Sequence, residues 1–163
     1  MQASPEIRIR RAVPEDARDI AEVLHESFVE HESLYTRGGF AATTPNAEQI
    51  LARMREGPVW LALREDRVLG TVAAMIKEQS AYMRGMAVLP NARGFRVGAR
   101  LLEQVEDWAS NEGCSRVFLS TTPFLSSAIR LYERFGFRRT EEGPHELFGT
   151  PLFTMEKKAF GGE

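Results

Sequence analysis

VLPNARGFRVGARLLEQVEDWA, residues 88–109, reads as the end of a strand, a glycine-containing turn and an amphipathic helix. Val97, Leu101, Leu102, Val105, Trp108 and Ala109 share one helical face. Arg93, Arg96 and Arg100 crowd the start of that helix, whereas Glu103, Glu106 and Asp107 fall in later turns. Aligned peptide dipoles already place positive charge at a helix start, so each cation there opposes the dipole by roughly 0.3 to 1 kcal/mol. A bound anion removes that penalty, and free backbone N–H groups at a helix start hold a phosphate most naturally. The stretch is therefore a candidate pyrophosphate site. It lacks the Lys-Ser or Lys-Thr pair of a P-loop and the spacing of a dinucleotide fingerprint.

Upstream of it, alternation over residues 6–12 predicts a strand, and Pro14 opens a helix with acidic residues in its first turn. Val13, Ala17, Ile20, Ala21, Leu24 and Phe28 keep helical spacing, and one further turn reaches the polar pair His31 and Glu32. Residues 37–45, rich in glycine and threonine, read as an ordered loop or a mobile lid, and residues 47–56 as a short helix. Strands follow at Val59–Arg64, residues 68–77 and residues 81–89, with a tight turn at Glu65 and Asp66, as in an antiparallel meander. Downstream come a strand at Arg116–Thr121, an amphipathic helix over residues 124–135, and strands near residues 137–141 and 152–157. Strands grouped early and strand–helix alternation later predict a mixed α/β sheet with helices on both faces.

A chain of 163 residues, 43% hydrophobic and 27% charged, fits one domain spanning residues 1–163. Its formal net charge of −2 comes from interspersed residues of both signs, which argues against a nucleic-acid partner. A lone cysteine, Cys114, excludes an internal disulfide, no Cys/His spacing suggests a metal site, and no signal-peptide pattern or membrane-length apolar run occurs. The expected setting is a reducing cytoplasm, without membrane attachment.

SSAIRLYERFGF, residues 126–137, completes the pattern: Leu125, Ala128, Ile129, Tyr132 and Phe135 make one apolar stripe, and Leu131-Tyr132 precedes Gly136-Phe137 by a fixed interval. By itself Tyr132 is a packed aromatic with its hydroxyl at a border. Together with Val88-Leu89-Pro90, Arg93 and Gly98, these residues resemble the GCN5-related N-acetyltransferase (GNAT) family, along the whole chain. The resemblance implies a mixed, mostly antiparallel sheet of six or seven strands with about four helices, and acetyl-CoA as the cofactor. It assigns Arg93, Gly94, Phe95, Arg96, Val97, Gly98 and Ala99 to the coenzyme pyrophosphate, and the Met86, Ala87 and Val88 strand end to the pantetheine arm. Arg96 stands where the family usually has its central glycine and offers a guanidinium to the same anion or to the 3′-phosphate. Leu125 stands where many members have an asparagine, which leaves Ser126 or Ser127 to supply that contact.

The implied reaction is attack of an amine on a thioester. A backbone N–H at or near Val88 would stabilise the developing oxyanion, a contribution of about 10²- to 10³-fold in rate. Tyr132 would protonate the leaving thiolate, whose ordinary pKa of about 8.5 lies below the phenol's value of about 10. At pH 7 an alkylammonium is neutral only about once in 2,500 molecules, so a base or water relay is expected. Tyr82-Met83-Arg84-Gly85 stands in the strand where many members carry a glutamate, and His31 and Glu32 are the substitute candidates. Phe28, His31, Glu32 and Tyr35 form one expected acceptor wall, and Glu142, His145 and Glu146, in a loop between the last strands, another grip for a cation. The acceptor is expected to be a small-molecule or peptide amine, with a protein N-terminus or lysine, or a non-catalytic acyl-CoA sensor, as alternatives. The resemblance suggests a homodimer; Phe148, Leu152 and Phe153 either pair edge to edge with a second copy or complete the core.

Overall fold

Alternately half-covered and exposed residues carry β1 (Ile7–Arg11) along the edge of an eight-stranded sheet. The structure is a computed structural model describing residues 6–94, 96–143 and 145–158. Pro14–Asp16 forms a 3-10 turn, in which the Asp16 carboxylate accepts the Val13 N–H at 2.8 Å and pairs with Arg10 at 2.9 Å. That arrangement enters α1 (Ala17–Phe28), which buries Ala17, Ile20, Val23 and Leu24. Val13 precedes the helix and is 47% exposed, so it lies outside the stripe that its spacing suggested.

α1 does not continue through His31 and Glu32. The chain tightens at Val29–Leu34 into a 3-10 segment, whose three residues per turn break the helical register, and no residue of the segment is buried. The expected loop or lid at residues 37–45 is instead largely a helix, α2 (Arg37–Thr43). The Thr36 hydroxyl caps α2 by accepting the Gly39 N–H at 3.0 Å. It also donates to the Phe148 carbonyl at 2.7 Å, while the Thr36 N–H donates to the Thr150 hydroxyl at 2.9 Å. Reciprocal bonds between Asn46 and Gln49 then start α3 (Ala47–Met54).

Three strands follow as the expected meander: β2 (Val59–Arg64), β3 (Arg67–Lys77) and β4 (Ser80–Val88), paired antiparallel. β2 is buried at five successive residues, so both of its faces are covered. α4 (Val97–Asn111) lies on one of them, where Trp108 meets Trp60 edge-on at 5.8 Å. Its residues Val97, Leu101, Leu102, Val105 and Ala109 are at most 1% exposed, and each larger one contributes roughly 1.5–3 kcal/mol of burial. β5 (Arg116–Thr121), α5 (Ser126–Arg134), β6 (Arg138–Arg139), β7 (His145–Leu147) and β8 (Thr150–Lys158) complete the chain.

The strand order is β1-β2-β3-β4-β5-β8-β6, with β7 paired to β8, and β4–β5 is the parallel pair. The architecture is the expected mixed, mostly antiparallel one, with eight strands and five α-helices among the described residues in place of six or seven and about four. The additional strand is β7, so His145 and Glu146 lie in a strand and not in a loop. Phe153 is 7% exposed and joins the core, whereas Phe148, at the hairpin turn, is 71% exposed. Among the described residues no helix is long and apolar enough to cross a membrane.

Candidate functional site

The parallel ladder between β4 and β5 is short. It covers Ser80, Tyr82 and the residue between them against Arg116–Phe118, and then the two strands part. β4 continues to Val88 beside β3, whereas β5 continues to Thr121 beside β8. A register shift between Thr71 and Ala73 marks a bulge in β4, where Gly85 adopts φ +63°. From the bulge onward the outer edge of β4 faces a cleft, and its main-chain groups there are available to an extended ligand.

α4 and α5 close the two sides of that cleft. A Cβ built on Gly98 would meet Leu131 Cδ2 at 2.7 Å, with Met86 and Val88 at 3.9 Å, so with glycine there the start of α4 approaches α5 across the end of β4 and a larger residue would push Leu131 aside. The first helical bond of α4 joins the Arg100 N–H to the Arg96 carbonyl at 3.0 Å. The N–H groups of Arg96, Val97, Gly98 and Ala99 therefore lack intrahelical acceptors. Arg96 takes φ 63°, ψ 21° at the cap, a left-handed conformation that costs a non-glycine residue about 1–2 kcal/mol. The position at which the motif usually carries glycine thus keeps a glycine-like backbone while presenting an exposed guanidinium. Phe95 lies outside the described residues.

The three cations expected to crowd this helix start are not equivalent. Arg93 pairs with Glu30 at 2.7 Å and reaches the Ser27 carbonyl at 3.4 Å, and Arg100 donates to the Ile7 carbonyl at 2.9 Å. Arg96 has no side-chain partner among the described residues, so it is the cation left for an anion. Ser126 and Ser127 are exposed in the first turn of α5.

Tyr132 is the buried residue of α5 and belongs to the core. It is 5% exposed, packs on Phe137 at 5.9 Å between ring centroids and has no hydrogen-bond partner among the described residues. Burial, reinforced by nearby Tyr35, pushes its phenol well above the ordinary value. Tyr35 is itself raised by burial, with the Thr43 and Thr122 hydroxyls opposing the shift. Its ring meets Phe124 edge-on at 4.9 Å, and His31 lies 6.1 Å from the same Phe124 ring. Ser27 Oγ is buried without a hydrogen-bond partner among the described residues. Tyr35, Tyr132, Phe124 and His31 thus gather into a partly aromatic wall beside Thr122; Phe124 and Thr122 carried no signal as site residues in the sequence. Phe28 closes α1 beside the wall's segment and is half-buried.

Other expected acceptor residues stand differently. Glu32 is exposed and has no side-chain partner among the described residues, while its neighbour Glu30 bonds Arg93 and lies 3.9 Å from His31 Nε2. His145 Nε2 is 3.1 Å from the Thr154 hydroxyl, and Glu146 is exposed on β7. Glu142 is turned to Arg116, whose hydrogen bond holds its carboxyl below the usual range.

The profile of the Acetyltransferase (GNAT) family matches residues 19–137, which hold every element lining the cleft except the β7–β8 hairpin. The chain belongs to the GNAT acetyltransferase family. Among GNAT relatives, an IAA acetyltransferase of Azospirillum brasilense is 36% identical over 101 residues, 60% of this chain and 65% of that protein. An uncharacterized N-acetyltransferase of Escherichia coli, YjgM, is 29% identical over 82% of this chain and 83% of its own length. The chain spans less than two thirds of several curated relatives it matches, 65% of the Azospirillum protein and 30% of an N-acetylaspartate synthetase of Danio rerio. Among solved structures, the PaiA N-acetyltransferase of Thermoplasma acidophilum in complex with coenzyme A superimposes with a TM-score of 0.81 at 20% identity, over 94% of this chain and 99% of that one. The GNAT architecture described above is therefore shared well beyond recognisable sequence likeness.

Proposed function

We propose that this chain is an acetyl-CoA-dependent N-acetyltransferase acting on a primary amine of a small molecule or peptide. What supports the reading is the parting of β4 from β5, which frees the β4 edge beside the unpaired N–H groups of α4, where Gly98 approaches Leu131, the sequence neighbour of Tyr132. Acetyl-CoA, when bound, supplies the thioester carbonyl that the amine attacks and the thiol that leaves.

The N–H groups of Arg96 to Ala99 and the Arg96 guanidinium would hold the pyrophosphate, with Arg93 and Gly94 completing the turn. Main-chain groups of Met86, Ala87 and Val88 would pair with the pantetheine arm, and an N–H at this strand end would stabilise the charge developing on the carbonyl oxygen. Ser126 and Ser127, at the start of α5, are placed to bond the same arm. Tyr132 would hand its proton to the leaving sulfur. Its burial keeps the phenol protonated, and a thiolate confined in the same low-dielectric cleft is raised as well, which preserves the driving force for the transfer. Of the two candidate proton acceptors, His31 stands on the aromatic wall with Glu30 beside it and is better placed than exposed Glu32 to take the amine's proton.

The test is thiol release from acetyl-CoA against a panel of amines, paired with calorimetric titration of coenzyme A. Release that depends on the amine supports the transferase. Coenzyme binding with no release for any amine would overturn catalysis and leave a binding module, and absence of binding would overturn both.

A further inference from the structure

The half of β4 that precedes the bulge carries a charge arrangement that the acetyl-transfer steps do not use. Arg53 of α3 reaches across to β4 and lies against its backbone: a Cβ at Gly85 would fall 2.6 Å from Arg53 Nη1. At φ +63° and without a side chain, Gly85 is what allows that guanidinium to lie there. Arg53 is half-buried, yet among the described residues its guanidinium has no hydrogen-bond or ion-pair partner. Its neighbour Arg84, on the strand itself, pairs with Glu56, whose side chain is 50% exposed, but keeps a buried Nε with no partner.

Two guanidinium groups thus share one partly covered site with a single carboxylate. Burial and repulsion from Arg84 both act against the charge on Arg53, opposed by Tyr82 and Glu56. Desolvated like charges are held together at a cost unless an anion joins them. Beside the site Tyr82 stacks on Phe118 at 5.1 Å, with the Lys77 ammonium over the Tyr82 ring at 4.7 Å and the Arg116 guanidinium over the Phe118 ring at 4.4 Å. Arg84 precedes Met86, where the segment proposed for the pantetheine arm begins, by two residues, about 7 Å of strand.

Resting on the acetyl-transfer reading above, we propose that the acceptor is a small aminocarboxylate whose carboxylate is received by Arg53 and Arg84 at the β4 bulge. A forked guanidinium pair recognises carboxylate geometry by charge-assisted bonds, which a carboxamide cannot replace.

The experiment measures kcat/KM for alanine, β-alanine and γ-aminobutyrate, each beside its own carboxamide, in the unmodified protein and in Arg53→Gln and Glu56→Gln. Coenzyme A titration and thermal melting are run on each protein. The expected result is a preference of about 10- to 100-fold for at least one carboxylate over its carboxamide, lost in Arg53→Gln chiefly through KM. Glu56→Gln, which frees Arg84, lowers KM for the same carboxylate several-fold. Turnover of the amines with no preference for carboxylates in the unmodified protein overturns this proposal while leaving the transferase intact, and needs no variant to fold. A KM increase in Glu56→Gln as large as in Arg53→Gln also overturns it, by reducing both residues to packing. Failure of coenzyme A to bind the unmodified protein overturns instead the reading on which the proposal rests.

Discussion

The cofactor side and the acceptor side of the cleft are built by opposite strategies. The proposed cofactor side would use main-chain groups of two contiguous runs, the end of β4 with the start of α4, and add the first turn of α5. The acceptor side is assembled from side chains of segments far apart in the chain: Tyr35 and His31 before α2, Phe124 before α5, and a β7–β8 hairpin tied to Thr36 across 114 residues. A site made of backbone accepts a ligand common to many sequences. One made of side chains can change its ligand by substitution without disturbing the other half.

Tyr132, which we propose stands between the two sides, carries the largest expected effect. Tyr132→Phe should lower kcat by about 10²- to 10⁴-fold while leaving the affinity for coenzyme A nearly unchanged. An equal loss in kcat and in coenzyme affinity would place Tyr132 in binding and break the division of labour. Its raised titration adds a pH expectation: the buried neutral form contributes stability that is complete below the ordinary phenol pKa of about 10 and is lost as pH climbs beyond it. The activity of the unmodified protein should therefore show no alkaline limb from Tyr132 at neutral to mildly basic pH, as a pH–rate profile would reveal.

Gly98→Ala comes next. Crowding against Leu131 should cost about 1–3 kcal/mol of stability, and coenzyme affinity should fall with it, because the same contact aligns the helix start. A variant that melts like the parent and binds coenzyme equally well would show that the close approach is dispensable. Arg96→Gly should separate the two quantities. Relief of the left-handed strain and glycine's extra unfolded-state entropy oppose one another, leaving stability within about 1 kcal/mol, while loss of the guanidinium lowers coenzyme affinity about tenfold. Calorimetry at modest ionic strength would check both.

That contrast also explains what was legible in the sequence. The α4 stripe, the meander and the glycine at position 98 follow local periodicity and motif spacing, so the type and order of those elements are readable in the sequence. The helix at Arg37–Thr43 was not, because glycine and threonine have poor helix propensity and its anchors, Phe148 and Thr150, lie in another part of the chain. Arg93 and Arg100 looked like members of a cationic cap because spacing gives position but not reach; each extends to a partner before α2 or on β1. Arg84-Gly85 inside a strand did carry a local hint, since an interior glycine signals a bulge, but its partner Arg53 is set by tertiary packing alone.

The smallest expected effect joins the two sides. Glu30→Gln removes the ion pair that links the 3-10 segment to the pyrophosphate turn; with both side chains over 40% exposed, it should change stability by about 1 kcal/mol or less. Freed Arg93 should then bind coenzyme slightly more tightly, and weaker binding would mean that Glu30 orients Arg93 for the cofactor.

Amide hydrogen exchange with and without saturating coenzyme A is the most direct test of a cofactor site made from backbone. Added protection should concentrate at Met86 to Val88 and at Val97 to Ala99, with little change at Tyr35 or in the β7–β8 hairpin. Saturable binding that leaves the exchange of those two runs unaltered would contradict the account.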